Sequence, residues 1–236
     1  MLSDDEPRTL AERAYRALRE DILWGHLAPG IPLRSDVLRR DYALGISPLR
    51  EALTRLVADG LVTAIGQRGF RVAPIVAAEV EEVTRLRILI DGDALRLSIA
   101  RGGTEWEARV LATLHRLVRA PVPRAPGAEA EAWSRAHHEF HRTLVDGSGS
   151  AWSARLSELL YYQAERYRIL HARDAPHSRR DTGAEHRDIV EAALAHDIDR
   201  AVTALGRHFQ RTADAVLTAL APRQPSQPEI SHERHV

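Results

Sequence analysis

Cysteine is absent from this chain of 236 residues. That excludes disulfides, thiolate metal ligands and a thiol nucleophile, so any metal must be held by imidazole, carboxylate or water. Lysine is absent too: all 33 basic residues are arginine, a bias that a GC-rich genome accounts for without invoking function. No apolar run approaches the roughly 18 to 20 residues that span a bilayer. The opening "MLSDDEPRTL" is acidic and polar, unlike a signal peptide. A soluble, cytoplasmic protein with no membrane partner is expected. Net charge of either sign is also missing, 33 basic against 33 acidic residues, so the molecule as a whole does not advertise a polyanionic partner. The length suits one or two domains with a substantial core.

Charge is nonetheless uneven. Residues 34 to 71 hold seven arginines (34, 39, 40, 50, 55, 68, 71) against four acids (36, 41, 51, 59). The patterns of the first 75 residues place this excess on a recognisable scaffold. "TLAERAYRALREDILWG" opens with a capping box, Thr9 to Glu12, and sets Leu10, Ala14, Leu18 and Ile22 on one stripe. A short helix is predicted near 34 to 42. Another should start at Ser47-Pro48, with serine as N-cap and proline at the first helical position, and run to Asp59-Gly60. "LVTAI" and "FRVAP" around "GQRG" read as a hairpin. Three helices and a hairpin make a winged helix-turn-helix; a generic small α+β module fits the same pattern.

From about residue 78 strand signals vanish. Helices are predicted near 78 to 101, 105 to 119 (capping box Thr104 to Glu107), 129 to 146, 151 to 171, 182 to 196 (capping box Thr182 to Glu185) and 198 to 220. Short connections between them argue for an antiparallel bundle of six to seven helices, so the fold class is mainly α. The expected division is a DNA-binding winged helix over 1–75, an all-helical domain over 76–221 and a disordered, proline-rich tail over 222–236.

Histidine is plentiful, 12 in all, and three fall in "AHHEFH" at 136 to 141. Helical phase divides the cluster. His137 and His141, four apart, share a face with Trp133, Phe140 and Leu144, whereas His138 lies about 100° away and reads as solvated. His186 shares a stripe with Ile189, Val190 and Ala193, and His208 with Leu205 and Phe209. Four imidazoles thus face inward from three helices. A buried imidazole must be hydrogen-bonded or coordinated; a core histidine on a carbonyl and a metal ligand both satisfy that. The zinc-protease pattern H-E-x-x-H is excluded, because Glu139 lies two positions after His137, roughly 200° round the helix.

The stretch "LREDILWGHLAPGIPLRSDVLRRDYALGISPLREALTRLVADGLVTAIGQRGFRVAP" resembles the GntR family of bacterial transcriptional regulators. It carries I-x-x-G-x-L-x-P-G, then S-P-L-R-E-A-L-x-x-L-x-x-x-G-L-V, then a glycine-containing wing. The helical remainder resembles the FadR-type ligand-sensing domain called FCD, and the likeness covers about residues 10 to 220. In metal-binding members an Asp-x-x-x-His helix, an "E-H-x-x-I" stretch and a histidine on the last helix hold the ion. These positions correspond to His137 and His141, to "EHRDI" with His186, and to "LGRHF" with His208. The family's aspartate is His137 here, and the all-imidazole set suits Zn²⁺ or Ni²⁺ better than Mn²⁺ or Mg²⁺. The family's recognition helix commonly begins Ser-Arg-Thr-Pro; this chain has Gly45-Ile46-Ser47-Pro48, so one arginine contact is lost at Ile46 while Arg50 is kept.

The resemblance implies a regulator, here a repressor, that binds double-stranded DNA as a homodimer on near-palindromic operators. Arg50 is the strongest candidate for a base or phosphate contact. Ser47, Arg34, Arg39, and Arg68 with Gly69 at the wing tip are further candidates. A small organic acid is the expected effector, held at the metal. Arg87, paired with Asp91, would meet its carboxylate, and the alternative is a salt bridge within one helix. Tyr167 and Arg168, with Tyr161 and Tyr162, are weaker pocket candidates that also fit core packing. Two rival classes stand beside this one: a helical metal-dependent enzyme, for which no base or nucleophile has convincing spacing, and a metal-free interaction module.

Overall fold

The computed structural model describes residues 9–66, 69–120, 128–174 and 180–220. The proline-rich tail and most of the "APVPRAPG" connection lie outside them. Among the described residues no helix is long and apolar enough to cross a membrane.

The N-terminal part runs α1 (Leu10–Leu23), β1 (Pro32–Leu33), α2 (Ser35–Tyr42), α3 (Ile46–Ala58), β2 (Val62–Ala64) and β3 (Phe70–Val72). The Thr9 hydroxyl accepts from the Glu12 amide at 3.1 Å, as the first capping box requires. The hairpin forms with Val62 opposite Val72 and Ala64 opposite Phe70. A third strand was not anticipated: β1 pairs with the other edge of β3, giving the order β1-β3-β2. Leu18, Ile22, Leu53, Leu56 and Leu61 are almost fully buried between helices and sheet. Each such side chain contributes about 1.5–3 kcal/mol of burial.

Six further helices follow: α4 (Ala77–Arg101), α5 (Gly103–Arg119), α6 (Ala128–Asp146), α7 (Ala151–Asp174), α8 (Thr182–Leu194) and α9 (Ile198–Leu220). Trp106 of α5 is buried and donates its indole N–H to the Thr143 carbonyl of α6 at 2.8 Å. Leu95 and Ile99 of α4, Phe140 and Leu144 of α6, Ile189 of α8 and Leu205 of α9 share one core. That core carries the stripes on which the four histidines sit.

Three expected helix caps are not made. α3 starts at Ile46, capped by the extended backbone of Gly45, so Ser47 and Pro48 lie inside its first turn. α5 starts at Gly103 after Gly102, with no side-chain cap; Gly102 fits closely against Trp106, where a Cβ would stand 2.7 Å from the indole. At α8 the cap is Asp181, whose carboxylate accepts from the Ala184 amide at 2.8 Å and frees Glu185 for another role.

Candidate metal centre and nucleic-acid interface

The four inward histidines converge. His137 and His141 on α6, His186 on α8 and His208 on α9 are all buried, and one nitrogen from each lies within 4.8 Å of the other three. His137 Nε2 and His141 Nε2 are 3.1 Å apart. Each outer nitrogen that is bonded meets a specific partner. His137 Nδ1 lies 3.0 Å from the Tyr161 hydroxyl and 3.7 Å from Glu165 Oε2, and His208 Nδ1 lies 2.9 Å from Glu185 Oε2. Carboxylates behind imidazoles fix ring orientation and tautomer, as in metal sites generally.

Burial pushes the pKa of His137, His141 and His186 well below the usual histidine value, and that of His208 also downward. For the first three the neighbouring imidazoles add to the effect, whereas for His208 the nearby Arg180 and Arg87 do and Glu185 opposes it. All four are therefore neutral near pH 7, the form that ligates. His186 Nε2 is buried without a hydrogen-bond partner among the described residues, a cost a native core seldom tolerates unless something fills the position. The residues thus fit a divalent ion. Tetrahedral bonds of about 2.0–2.1 Å put donor nitrogens about 3.3 Å apart; the His137–His141 spacing matches, while the widest spacing needs small side-chain rotations to close.

A second ring of charge surrounds the imidazoles. Glu165 bonds Ser134 and accepts from Arg168 Nε at 2.7 Å. Glu185 accepts from Arg180 Nε at 2.8 Å and from Arg211 at 3.0 Å. These cations hold both carboxyls below the ordinary glutamate range despite burial. Arg87 is buried, paired with Asp91 at 3.2 Å, with its guanidinium 3.8 Å above the Phe209 ring. That ring lies 5.6 Å from His141, so Arg87 stands at the edge of the cluster. Arg168 stacks 4.4 Å over Trp133, whose indole in turn stacks on His137 at 4.8 Å. A cleft of about 220 Å³ reaches His186, lined also by Trp133, Arg180, Thr182 and Arg187.

Tyr167 follows the core-packing alternative of its sequence reading, and His138 departs from its own. Tyr167 packs with Val80, Val83 and Val216 in a separate apolar cluster, so its burial is accounted for away from the imidazoles. His138 is not simply solvated: it is half-buried, bonds Glu158 at 2.9 Å and stacks on Tyr161 at 4.4 Å. Glu139 turns outward to Arg116, as its phase required. Glu165, Arg180 and Ser134 were missed. Tyr161, Glu165 and Arg168 fall on one face of α7 at i, i+4 and i+7, a signal present in the sequence but silent about which helix that face meets.

The other candidate surface lies on α3. Ile46, Ser47, Arg50 and Thr54 are exposed along its outer face, Ile46 at 58%. Arg50 forms no ion pair among the described residues, whereas Arg55 is held by Glu12 at 2.7 Å and stacks on Tyr15. Arg34 and Arg39 are exposed on and beside α2, with Asp36 3.7 Å from Arg34. Gly69 follows the hairpin turn at φ +105°, in the left-handed region. Arg68 lies outside the described residues.

Comparison with known proteins brings the two surfaces under one description. Residues 10–72 match bacterial regulatory proteins of the gntR family, and residues 82–211 match the FCD domain. The chain is 37% identical over 213 residues to the uncharacterized HTH-type transcriptional regulator BphR of Paraburkholderia xenovorans (strain LB400), covering 89% of this chain and 86% of that one. It is 36% identical over 210 residues to the HTH-type transcriptional repressor GlaR of Escherichia coli (strain K12), covering 88% and 96%. Among solved structures, E. coli McbR/YncC superposes with a TM-score of 0.74 at 20% identity over 90% of this chain and 99% of that one, a likeness of fold. A helix-turn-helix with an arginine-bearing outer face, joined to a helical domain with four buried histidines at its centre, makes this chain a member of the GntR family of transcriptional regulators with an FCD domain, and not an enzyme.

Proposed function

We propose that this regulator is a repressor whose operator affinity is set by a small carboxylate metabolite bound at a metal site in the helical domain. The observation that carries the reading is the convergence of four neutral, buried imidazoles with carboxylates behind two of them. Zn²⁺ or Ni²⁺ suits an all-nitrogen set. When bound, the ion supplies a Lewis-acid anchor for a carboxylate oxygen. The nearby acids are already paired with arginines, so four neutral ligands leave the ion's charge uncompensated, and an anionic effector is the natural complement. The cleft beside His186 admits a small acid and is lined by Arg180 and Arg187, while Arg87 and Arg168, elsewhere round the cluster, add positive charge for the same anion.

In the same reading, residues 1–75 form the DNA-binding unit, 76–221 the sensing and dimerisation unit, and 222–236 a tail. Arg50 and Ser47 enter the major groove, Arg34 and Arg39 meet phosphates, and Arg68 with Gly69 forms the wing tip. A two-fold dimer would read a near-palindromic operator. Repression is supported by a relative of similar length named as a repressor.

The test begins with elemental analysis of purified protein. One Zn²⁺ or Ni²⁺ per chain, lost in His186→Ala and His208→Ala, supports the site, whereas full stoichiometry in either variant sinks it. Binding-shift screening of small mono- and dicarboxylic acids, with and without chelator, then tests the effector class. An operator obtained by selection from random duplexes provides the DNA readout.

A further inference from the structure

The histidine centre and the DNA-reading helix sit on opposite sides of α7, and that helix touches both. Tyr161, Glu165 and Arg168 face the imidazoles. About a third of a turn round the helix, Tyr162, Gln163, Arg166 and Ile169 face the N-terminal part. Ile169 is buried in the winged-helix core itself. The Arg19 guanidinium of α1 lies 3.5 Å from the centre of the Tyr162 ring. Gln163 Nε2 donates to the carbonyl of Asp59, the C-cap of α3, at 2.5 Å. Arg166 donates to the carbonyls of Ala73 and Pro74, the segment joining β3 to α4.

Two observations mark this seam as more than incidental packing. The first is Gly60, at φ +72°, where a Cβ would stand 2.8 Å from Gln163 Nε2. The left-handed backbone favours glycine there, and the missing side chain leaves room for the Gln163 amide to reach the end of the recognition helix. The second is the poor satisfaction of the seam's polar groups. Arg166 is fully buried, yet its Nε and Nη1 have no partner among the described residues, and neither does Gln163 Oε1. Buried donors without acceptors cost stability, and a guanidinium taken out of water against carbonyls alone is weakly compensated. A contact held this way opens at low cost, as a two-state element must.

We propose that α7 carries the state of the histidine centre to the recognition helix, with Gln163 and Arg166 as the positioning residues of the seam. The inference rests on the reading of the four imidazoles as a metal site. Ordering of the Tyr161–Glu165–Arg168 face sets the helix against α6. The opposite face then holds Asp59, and with it the C-terminal end of α3, in one orientation.

The test uses the full chain, stripped with chelator and then reloaded with Zn²⁺ alone. Zinc stoichiometry and hydrogen exchange of the amides at the end of α3, residues 57 to 61, are measured on the same samples. In wild type, zinc should slow these amides on the order of tenfold, the size of an ordinary coupling. Gln163→Ala and Arg166→Met should keep helicity and one zinc per chain while losing most of that slowing. Arg166→Met removes the under-bonded cation and so guards against a variant that merely unfolds. Bound zinc with unchanged exchange in wild type, or equal slowing in both variants, overturns the inference alone. Absence of zinc from wild type overturns the site reading and this inference with it.

Discussion

Arg50 and His186 are single side chains on which the two halves of the mechanism turn. Arg50 is exposed and unpaired among the described residues, so its guanidinium is free to grip a base edge or a phosphate. Arg50→Ala should weaken binding to a selected operator by about 1–3 kcal/mol, roughly ten- to hundredfold, with helicity unchanged; wild-type affinity in a gel-shift assay would refute the contact. The four imidazoles also make a prediction for the metal-free protein. Their folded pKa values are depressed below about 6.5, the unfolded value. Above that pH both states are neutral and stability is at its full value. Below it the unfolded chain takes up protons that the folded chain refuses, so stability falls as pH drops. The slope is about 1.4 kcal/mol per pH unit for each imidazole that stays neutral. Urea midpoints between pH 7.5 and 5 should decline accordingly, and a flat profile over that range would mean the rings accept protons in place.

At the scale of elements, the caps give a direct test of where helices begin. Asp181→Ala should cost about 0.5–2 kcal/mol, whereas Thr182→Ala should cost a few tenths, since Asp181 and not Thr182 bonds the α8 amides. Thermal melts of the two variants decide between them. The long helices were legible because their apolar stripes repeat at 3.6 residues, and the same stripes correctly placed His137, His141, His186 and His208 inside. What a stripe cannot tell is which helices meet. Glu165 and Glu185 lie behind imidazoles 28 and 23 residues away in sequence, His137 and His208. Only the packing of α6, α7, α8 and α9 brings them together. β1 escaped notice because two residues carry no alternation. At α3 and α5 the starts fall on Gly45 and Gly102, which make no side-chain cap and so leave no polar cap signal at those positions.

For the whole molecule, the metal centre proposed between the helices would link folding to ligation. Zinc at about a hundred times its dissociation constant should add roughly 2.7 kcal/mol to unfolding free energy, read as a higher melting temperature that chelator reverses; His208→Ala should show no such rise. The proposed two-fold dimer has a different consequence, and it begins at Ile46. This side chain is 58% exposed at the start of α3, the end proposed to enter the groove, at the position where the family pattern Ser-Arg-Thr-Pro has arginine. An aliphatic group cannot hydrogen-bond guanine, but it can rest against the C5-methyl of thymine. In a two-fold dimer the substitution is presented twice, once to each half-site. Operators selected by this protein should therefore carry symmetry-related thymines where arginine-bearing relatives prefer guanine, and Ile46→Arg should restore guanine at both positions together.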